Sequence, residues 1–212
     1  MTKQPSDTPI ARPDYAIIAE WIRPRSRVLD LGCGDGALLS YLAQQRQTTG
    51  YGLELDDKYL PQCIRNGINV IQTDLDQGLA EFDDDSFDYV LLSLTLQAMH
   101  FPARLLDEML RVGSRGIVTF PNFGHWRARI QLGLFGTMPI SRTLPHQWYD
   151  TPNIHLCTLR DFEALCRDRN IDILDRCAVD HIHRASLGLR LWPNLLGEIA
   201  LYQFTRKVIS RH

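Results

Sequence analysis

The sequence predicts an α/β protein built on a doubly wound, mostly parallel, seven-stranded sheet. Three observations carry that expectation. Val28-Leu29-Asp30-Leu31 is an aliphatic run that breaks into Gly32-Cys33-Gly34-Asp35-Gly36 and continues into Ala37 to Leu42 at helical spacing. Strand, glycine turn and helix in that order form a nucleotide-type crevice. An acid, Glu54, follows 22 residues after Gly32, the distance at which a carboxylate meets ribose hydroxyls in such folds. Apolar runs then alternate with helical stripes, as right-handed parallel crossovers require.

The glycines supply positive φ and leave room for a ligand, and the free N–H groups opening the next helix attract an anion. The spacing is G-x-G-x-G, not G-x-G-x-x-G, and no lysine follows Gly36. Asp30 and Asp35 flank the loop. Two acids suit a polyphosphate poorly and suit a ligand carrying an ammonium group, as S-adenosylmethionine does.

Totals narrow the class. A chain of 212 residues with 44% apolar and 23% charged residues can build one α/β domain, with a small insertion at most. A net charge of −2 gives no global pull towards nucleic acid or an anionic membrane. No apolar run approaches the ~20 residues of a membrane helix. The five cysteines (Cys33, Cys63, Cys157, Cys166, Cys177) are odd in number and lack C-x-x-C spacing, which fits a reducing cytoplasm rather than a disulfide or zinc scaffold. Cys33 reads as a small residue at a tight turn. Residues 1–13 read as a flexible polar arm without a signal peptide, and 14–212 as one domain.

Along the chain, Asp14 to Trp21 is expected as a helix capped by Asp14 with Ile17, Ile18 and Trp21 inward. Gly50 to Asp56 is the second strand, and Asp56 and Asp57 cap the helix after it. Asn69 to Leu75 is the third. Asp83-Asp84-Asp85 is a solvated turn before the fourth, Phe87 to Ser93, whose continuous apolar character suits a strand covered on both faces. Pro102 to Val112 is a helix with Leu105, Leu106, Met109 and Leu110 on one stripe, and Gly116 to Phe120 is strand five. Thr158 and Asp161 form a capping box for a helix to Arg169. Ile171 to Ala178 and Ile199 to Thr205 are strands six and seven.

Residues 121–152 break the regularity. Arg127 to Phe135 reads as an amphipathic helix. Aromatic residues with Arg127, Arg129 and Arg142 leave a substrate lid, a partner surface and a nucleic-acid patch open, the last disfavoured by the few basic residues. Residues 94–100 lack the Asn/Asp-Pro-Pro-aromatic motif, which disfavours methylation of a base or amide nitrogen. His100 is their one titratable side chain and a weak general-base candidate, as are His125 and Tyr149. His181 and His183 have no third histidine close in sequence, and no metal site is expected.

V-L-D-L-G-C-G-D-G resembles the first motif of class I S-adenosylmethionine-dependent methyltransferases, a Rossmann-like fold. With V-I-Q-T-D-L-D-Q-G-L at 70–79, F-P-N-F-G-H-W-R at 120–127 and Q-W-Y-D-T-P-N-I-H-L-C-T at 147–158, the chain from Pro13 to Arg206 resembles the methionine-biosynthesis family MetW. That resemblance implies S-adenosylmethionine or S-adenosylhomocysteine bound by Asp30, Gly32, Cys33, Gly34, Gly36, Glu54, Leu55, Asp74, Leu75 and Ser93, with Asp74 beside the adenine amino group and Asp76 its rival. It also implies association with the homoserine O-acyltransferase MetX, expected through 121–152, and no established methyl acceptor. Three readings stand: a cofactor-binding subunit that activates the acyltransferase, an active methyltransferase on an unidentified small molecule, and a scaffold that has lost its ligand.

Overall fold

The computed structural model describes residues 13–141, 143–180, 189 and 191–207. The elements are α1 (Pro13–Trp21), β1 (Arg27–Leu31), α2 (Ala37–Arg46), β2 (Thr49–Glu54), α3 (Leu60–Arg65), β3 (Asn69–Gln72), β4 (Phe87–Ser93), α4 (Pro102–Val112), β5 (Gly113–Pro121), α5 (Trp126–Phe135), α6 (Leu159–Asp168), β6 (Ile171–Val179) and β7 (Ile199–Arg206). Short 3₁₀ turns occupy Asp57–Tyr59, Leu75–Gln77 and Leu96–Ala98. The strands form one sheet in the order β3-β2-β1-β4-β5-β7-β6. Only β7 runs antiparallel to its neighbours, β5 and β6. The order reverses between β1 and β4, and the crevice at their carboxyl ends is where folds of this kind place a ligand.

Both faces are covered, which is why the central strands are apolar throughout. Alternate residues of β1 and β4 separate cleanly. Leu29, Leu31, Val90 and Leu92 pack with α4 and α6, while Val28, Tyr89 and Leu91 pack with α1 and α2. Under α6, Phe162 meets Tyr202 at 4.7 Å and Phe120 at 5.2 Å between ring centroids. The α4 stripe is buried as expected.

The structure departs from several expectations. Pro13 opens α1, so Asp14 sits buried at the second helical position and not at the position before the helix. The buried face of α1 is Ile18 and Ala19, continued by Ile22; Ile17 and Trp21 lie at its margin. The strand–helix repeat also fails once, because β3 and β4 are joined without an α-helix. One side chain fixes that connection. Arg111 on α4 donates to the carbonyls of Leu79 (2.8 Å) and Phe82 (2.9 Å), to Asp84 (2.8 Å) and to both oxygens of Glu108 (3.0 and 2.9 Å). Every guanidinium direction has a partner, so residues 79–84 are held as a helix would hold them. Asp84 of the acidic turn is therefore paired, not merely solvated.

The capping box forms: Thr158 Oγ1 accepts from the Asp161 N–H at 3.3 Å, and Asp161 accepts from the Thr158 N–H at 2.9 Å. Thr158→Ala removes one half of this exchange. It should cost about 1 kcal/mol of stability, read as a lowered urea midpoint at unchanged slope.

Candidate functional site

The three loop glycines all take positive φ (70°, 54° and 75°), but their surroundings differ. A Cβ on Gly32 would stand 2.9 Å from Thr95 Oγ1, on the segment after β4. Gly32 is thus needed for the chain's own packing at the β1–β4 junction. A Cβ on Gly34 would meet nothing within 4 Å, so this glycine borders open space. Gly36 caps α2 in the left-handed region. The opening N–H of α2, Ala37, donates to Asp35 at 3.0 Å, so the acid already occupies part of the end expected to draw an anion.

Glu54 holds the loop. Its Oε2 accepts from the Gly34 N–H at 2.7 Å, and its Oε1 accepts from Leu55 and Asp56 at 2.9 Å each. The Leu53 carbonyl accepts from Gly32 (2.8 Å) and Cys33 (2.9 Å). A carboxylate offers about four acceptor positions, so Glu54 retains one on Oε2, beside the open face of Gly34. Asp30 is buried beneath the loop, and Leu55 is exposed. The Cys33 side chain turns inwards, with its Sγ 3.9 Å from Cys63 Sγ, and Cys63 donates to the Gly34 carbonyl at 3.0 Å. Burial first, then the Asp30 charge, pushes the Cys33 thiol well above its ordinary value, as burial does for Cys63. Neither is a ready thiolate.

After β3, Asp74 caps the turn Leu75–Gln77 by accepting from the Asp76 N–H at 3.0 Å, and Leu75 is buried. Asp76 takes a different role from its neighbour. Its Oδ2 lies 2.6 Å from His100 Nδ1, and its Oδ1 accepts from the His100 N–H at 3.0 Å. Burial pushes the Asp76 carboxyl up, but the His100 ring and the His100 and Phe101 N–H groups outweigh that and hold it below its ordinary value. After β4, Ser93 Oγ lies 3.2 Å from Thr119 Oγ1, and Leu94 adopts a left-handed φ of 58° while donating to Thr119.

His125 is buried at the start of α5, and Tyr149 is 70% exposed, edge-on to Trp148. His181, His183 and Arg142 lie outside the described residues. Sequence reading missed Thr95, Leu94 and the Asp76–His100 pair. The left-handed Leu94 carries no sequence signal, whereas Asp76 stood in view as the rival acid.

The helix expected to be amphipathic is not: its apolar residues are spread around its circumference, with Leu132 and Phe135 opposite Trp126, Ile130 and Leu134. The α5 helix forms, yet it has no buried residue. Trp126, Ile130 and Leu134, at i, i+4 and i+8, share one face and point outwards, with Leu134 76% exposed. Phe135 and Trp148 are each 72% exposed. Arg127, Ala128 and Gln131 border a cavity.

Sheet order, glycine loop and strand-end acids define a Rossmann-like protein with the class I methyltransferase fold. Within that class the chain belongs to the MetW family: the family model described as "Methionine biosynthesis protein MetW" matches residues 12–204. The bifunctional methionine biosynthesis protein MetXA/MetW of Rhodopirellula baltica is 36% identical over 203 residues, covering 92% of this chain. The chain spans 33% of that protein's length. An S-adenosylmethionine-dependent methyltransferase from Mesorhizobium loti shares the fold with a TM-score of 0.66 at 19% identity, covering 92% of this chain and 99% of that one. A methyltransferase solved in complex with the Haloferax volcanii Trm112 methyltransferase activator gives 0.65 at 15% identity, covering 93% and 90%. Among the described residues no helix is long and apolar enough to cross a membrane.

His100→Ala removes the ring that holds the Asp76 carboxyl low. The Asp76 pKa should then rise, because burial remains and the main opposing partner is gone. Carboxyl-carbon NMR titration of the two forms measures it.

Proposed function

We propose that this protein is a methionine-biosynthesis subunit that binds S-adenosylmethionine or S-adenosylhomocysteine at the glycine loop and associates with the homoserine O-acyltransferase MetX, activating it. The outward apolar stripe of α5 is the observation that carries this reading. A helix normally turns such a stripe to the core, and exposed aromatic and apolar clusters beside arginines mark partner surfaces. Arg127 stacks over Trp126 at 5.3 Å, which adds a cation to that surface. Segment 121–152 is the proposed docking element. The relative whose name joins MetXA to MetW in one chain supports physical association, and the Trm112 complex is a precedent for a partner held by this fold.

The loop fits the nucleotide. The open face of Gly34 leaves space at the crevice, the spare acceptor on Glu54 suits a ribose hydroxyl, and the buried Asp30 adds negative charge for an ammonium. On this reading Asp74, which caps the turn after β3, lies beside the adenine amino group with Leu75 next to it, and Leu55 offers an exposed apolar side chain after β2. When bound, the cofactor supplies an electrophilic methyl or simply reports pathway output. For the second role it must prefer one state of the complex, since equal affinity shifts nothing.

Calorimetry with S-adenosylmethionine should show saturable binding to the native chain. Gly34→Val should weaken it at least about tenfold, because a β-branched residue at this φ is strained and fills the open face. Unchanged affinity would place the ligand elsewhere.

The partner reading is tested by homoserine acylation with and without this protein, titrated with S-adenosylmethionine. The rate should rise on addition, and Leu134→Glu should weaken co-purification with the acyltransferase by about tenfold or more, as expected for an interface anchor. No co-purification and an unchanged rate would overturn it. The Asp76–His100 pair favours a second reading, methyl transfer to a small molecule, with a carboxylate-oriented imidazole as proton acceptor. The same mixtures analysed for S-adenosylhomocysteine separate the two: accumulation that His100→Ala abolishes supports transfer.

A further inference from the structure

A separate cavity of about 310 Å³ lies between α5, α6, β6 and the turn at 191–195 that leads towards β7. None of its lining residues belongs to the glycine loop. Arg176, on its β6 side, stands four strands from β1, roughly 19 Å at ordinary strand spacing. The volume falls at the low end for small-molecule pockets, which suits a compact ligand.

The lining is strongly unbalanced in charge. Arg129 comes from α5, Arg160 and Glu163 from α6, and Arg176 from β6. Three guanidinium charges against one carboxylate leave a surplus of two. The acid is already satisfied within the protein: Glu163 Oε1 accepts from Arg176 Nη1 at 2.8 Å and from the Tyr202 hydroxyl at 2.9 Å. Arg129 and Arg160 have no such counterion among the described residues. Arg129 Nε donates to the Gly124 carbonyl at 2.6 Å, which leaves its two terminal nitrogens unpartnered among the described residues. Arg160 makes no side-chain hydrogen bond or ion pair among the described residues. Open guanidinium donors thus reach one cavity from α5 and α6, beside the paired Arg176. The remaining side is apolar, with the Trp192 ring 62% exposed beside Pro193 and Leu195. That side is held in place: Asn194 Oδ1 accepts from the Leu159 N–H, and the Asn194 carbonyl accepts from the Asn122 amide, both at 3.1 Å.

We propose that this cavity binds a phosphate monoester dianion carrying a small apolar or aromatic group. Phosphate directs three acceptor oxygens outwards, which matches arginines arriving from three elements, whereas a lone carboxylate presents one planar edge to one fork. Its two negative charges equal the surplus of the lining, and a monoanion would leave one arginine uncompensated. The organic group lies against the Trp192 ring and Leu195. The site goes beyond the nucleotide and partner readings and depends on neither.

The test is calorimetry on the full chain at about pH 8, where a monoester is a dianion, with phenyl phosphate as probe. Methyl phenyl phosphate, the diester of single charge, is the comparison. Phenyl phosphate should bind saturably at one site, and the diester at least about tenfold more weakly, as loss of a charged pairing implies. Arg160→Gln, at a side chain with no partner to disrupt, should weaken phenyl phosphate at least about tenfold at unchanged melting temperature, and should shrink its preference over the diester. Arg160→Lys should restore part of both. Trp192→Ala should weaken phenyl phosphate and leave inorganic phosphate unaffected. Gly34→Val should leave phenyl phosphate binding unchanged, which separates this cavity from the glycine loop. Absence of saturable phenyl phosphate binding, equal binding of monoester and diester, or unchanged affinity in Arg160→Gln overturns the proposal.

Discussion

The Glu54 carboxylate ties the architecture to the site. It ends β2, lies buried, and accepts three backbone N–H groups, one of them from the glycine loop that leaves β1. Charge-assisted bonds to backbone amides are among the stronger local interactions, and losing the acceptor would leave three donors to find new partners. Because the Leu53 carbonyl also holds Gly32 and Cys33, the loop is fastened to β2 along its first half. That fastening keeps the face of Gly34 open and leaves the strand-end acids in a fixed frame. A ligand at this crevice meets a preformed surface and need not order a loop on arrival.

Much of this was legible in the sequence because its signals are local. The glycine triplet, the aliphatic runs of β1 and β4, the α4 stripe and the Thr158–Asp161 box each act within one element or turn. What escaped reading acts across the chain. Arg111 fixes carbonyls some thirty residues earlier in sequence, so the β3–β4 connection looks featureless without it. Gly32 is demanded by Thr95, a neighbour only after β1 and β4 have paired. His100 and Asp76 meet for the same reason, at strand ends that nothing in spacing brings together. The α5 helix shows another limit. Periodicity reveals that Trp126, Ile130 and Leu134 share a face, but it does not say whether that face looks inwards or outwards.

The α5 helix differs from the other long helices in burying none of its residues. Trp126, Ile130 and Leu134 on one side and Leu132 and Phe135 on the other are all open to solvent. A helix of this kind gains little from the fold that carries it, so the partner proposed to dock there would supply the packing that its own domain does not.

The late insertion of β7 carries a consequence for synthesis. It enters the sheet between β5 and β6, antiparallel to both, and is buried over most of its length. As the chain leaves the ribosome, the first five strands can assemble in parallel, but β5 keeps an open, strongly apolar edge until residues 199–206 emerge. β6, though made earlier, has no place in the sheet without β7. An unpaired hydrophobic edge is a template for wrong pairing, and long-range strand pairing is slow. The nascent chain is therefore most vulnerable to aggregation in the interval between translation of Pro121 and of Arg206, and chaperone engagement in that window would have the greatest effect on yield.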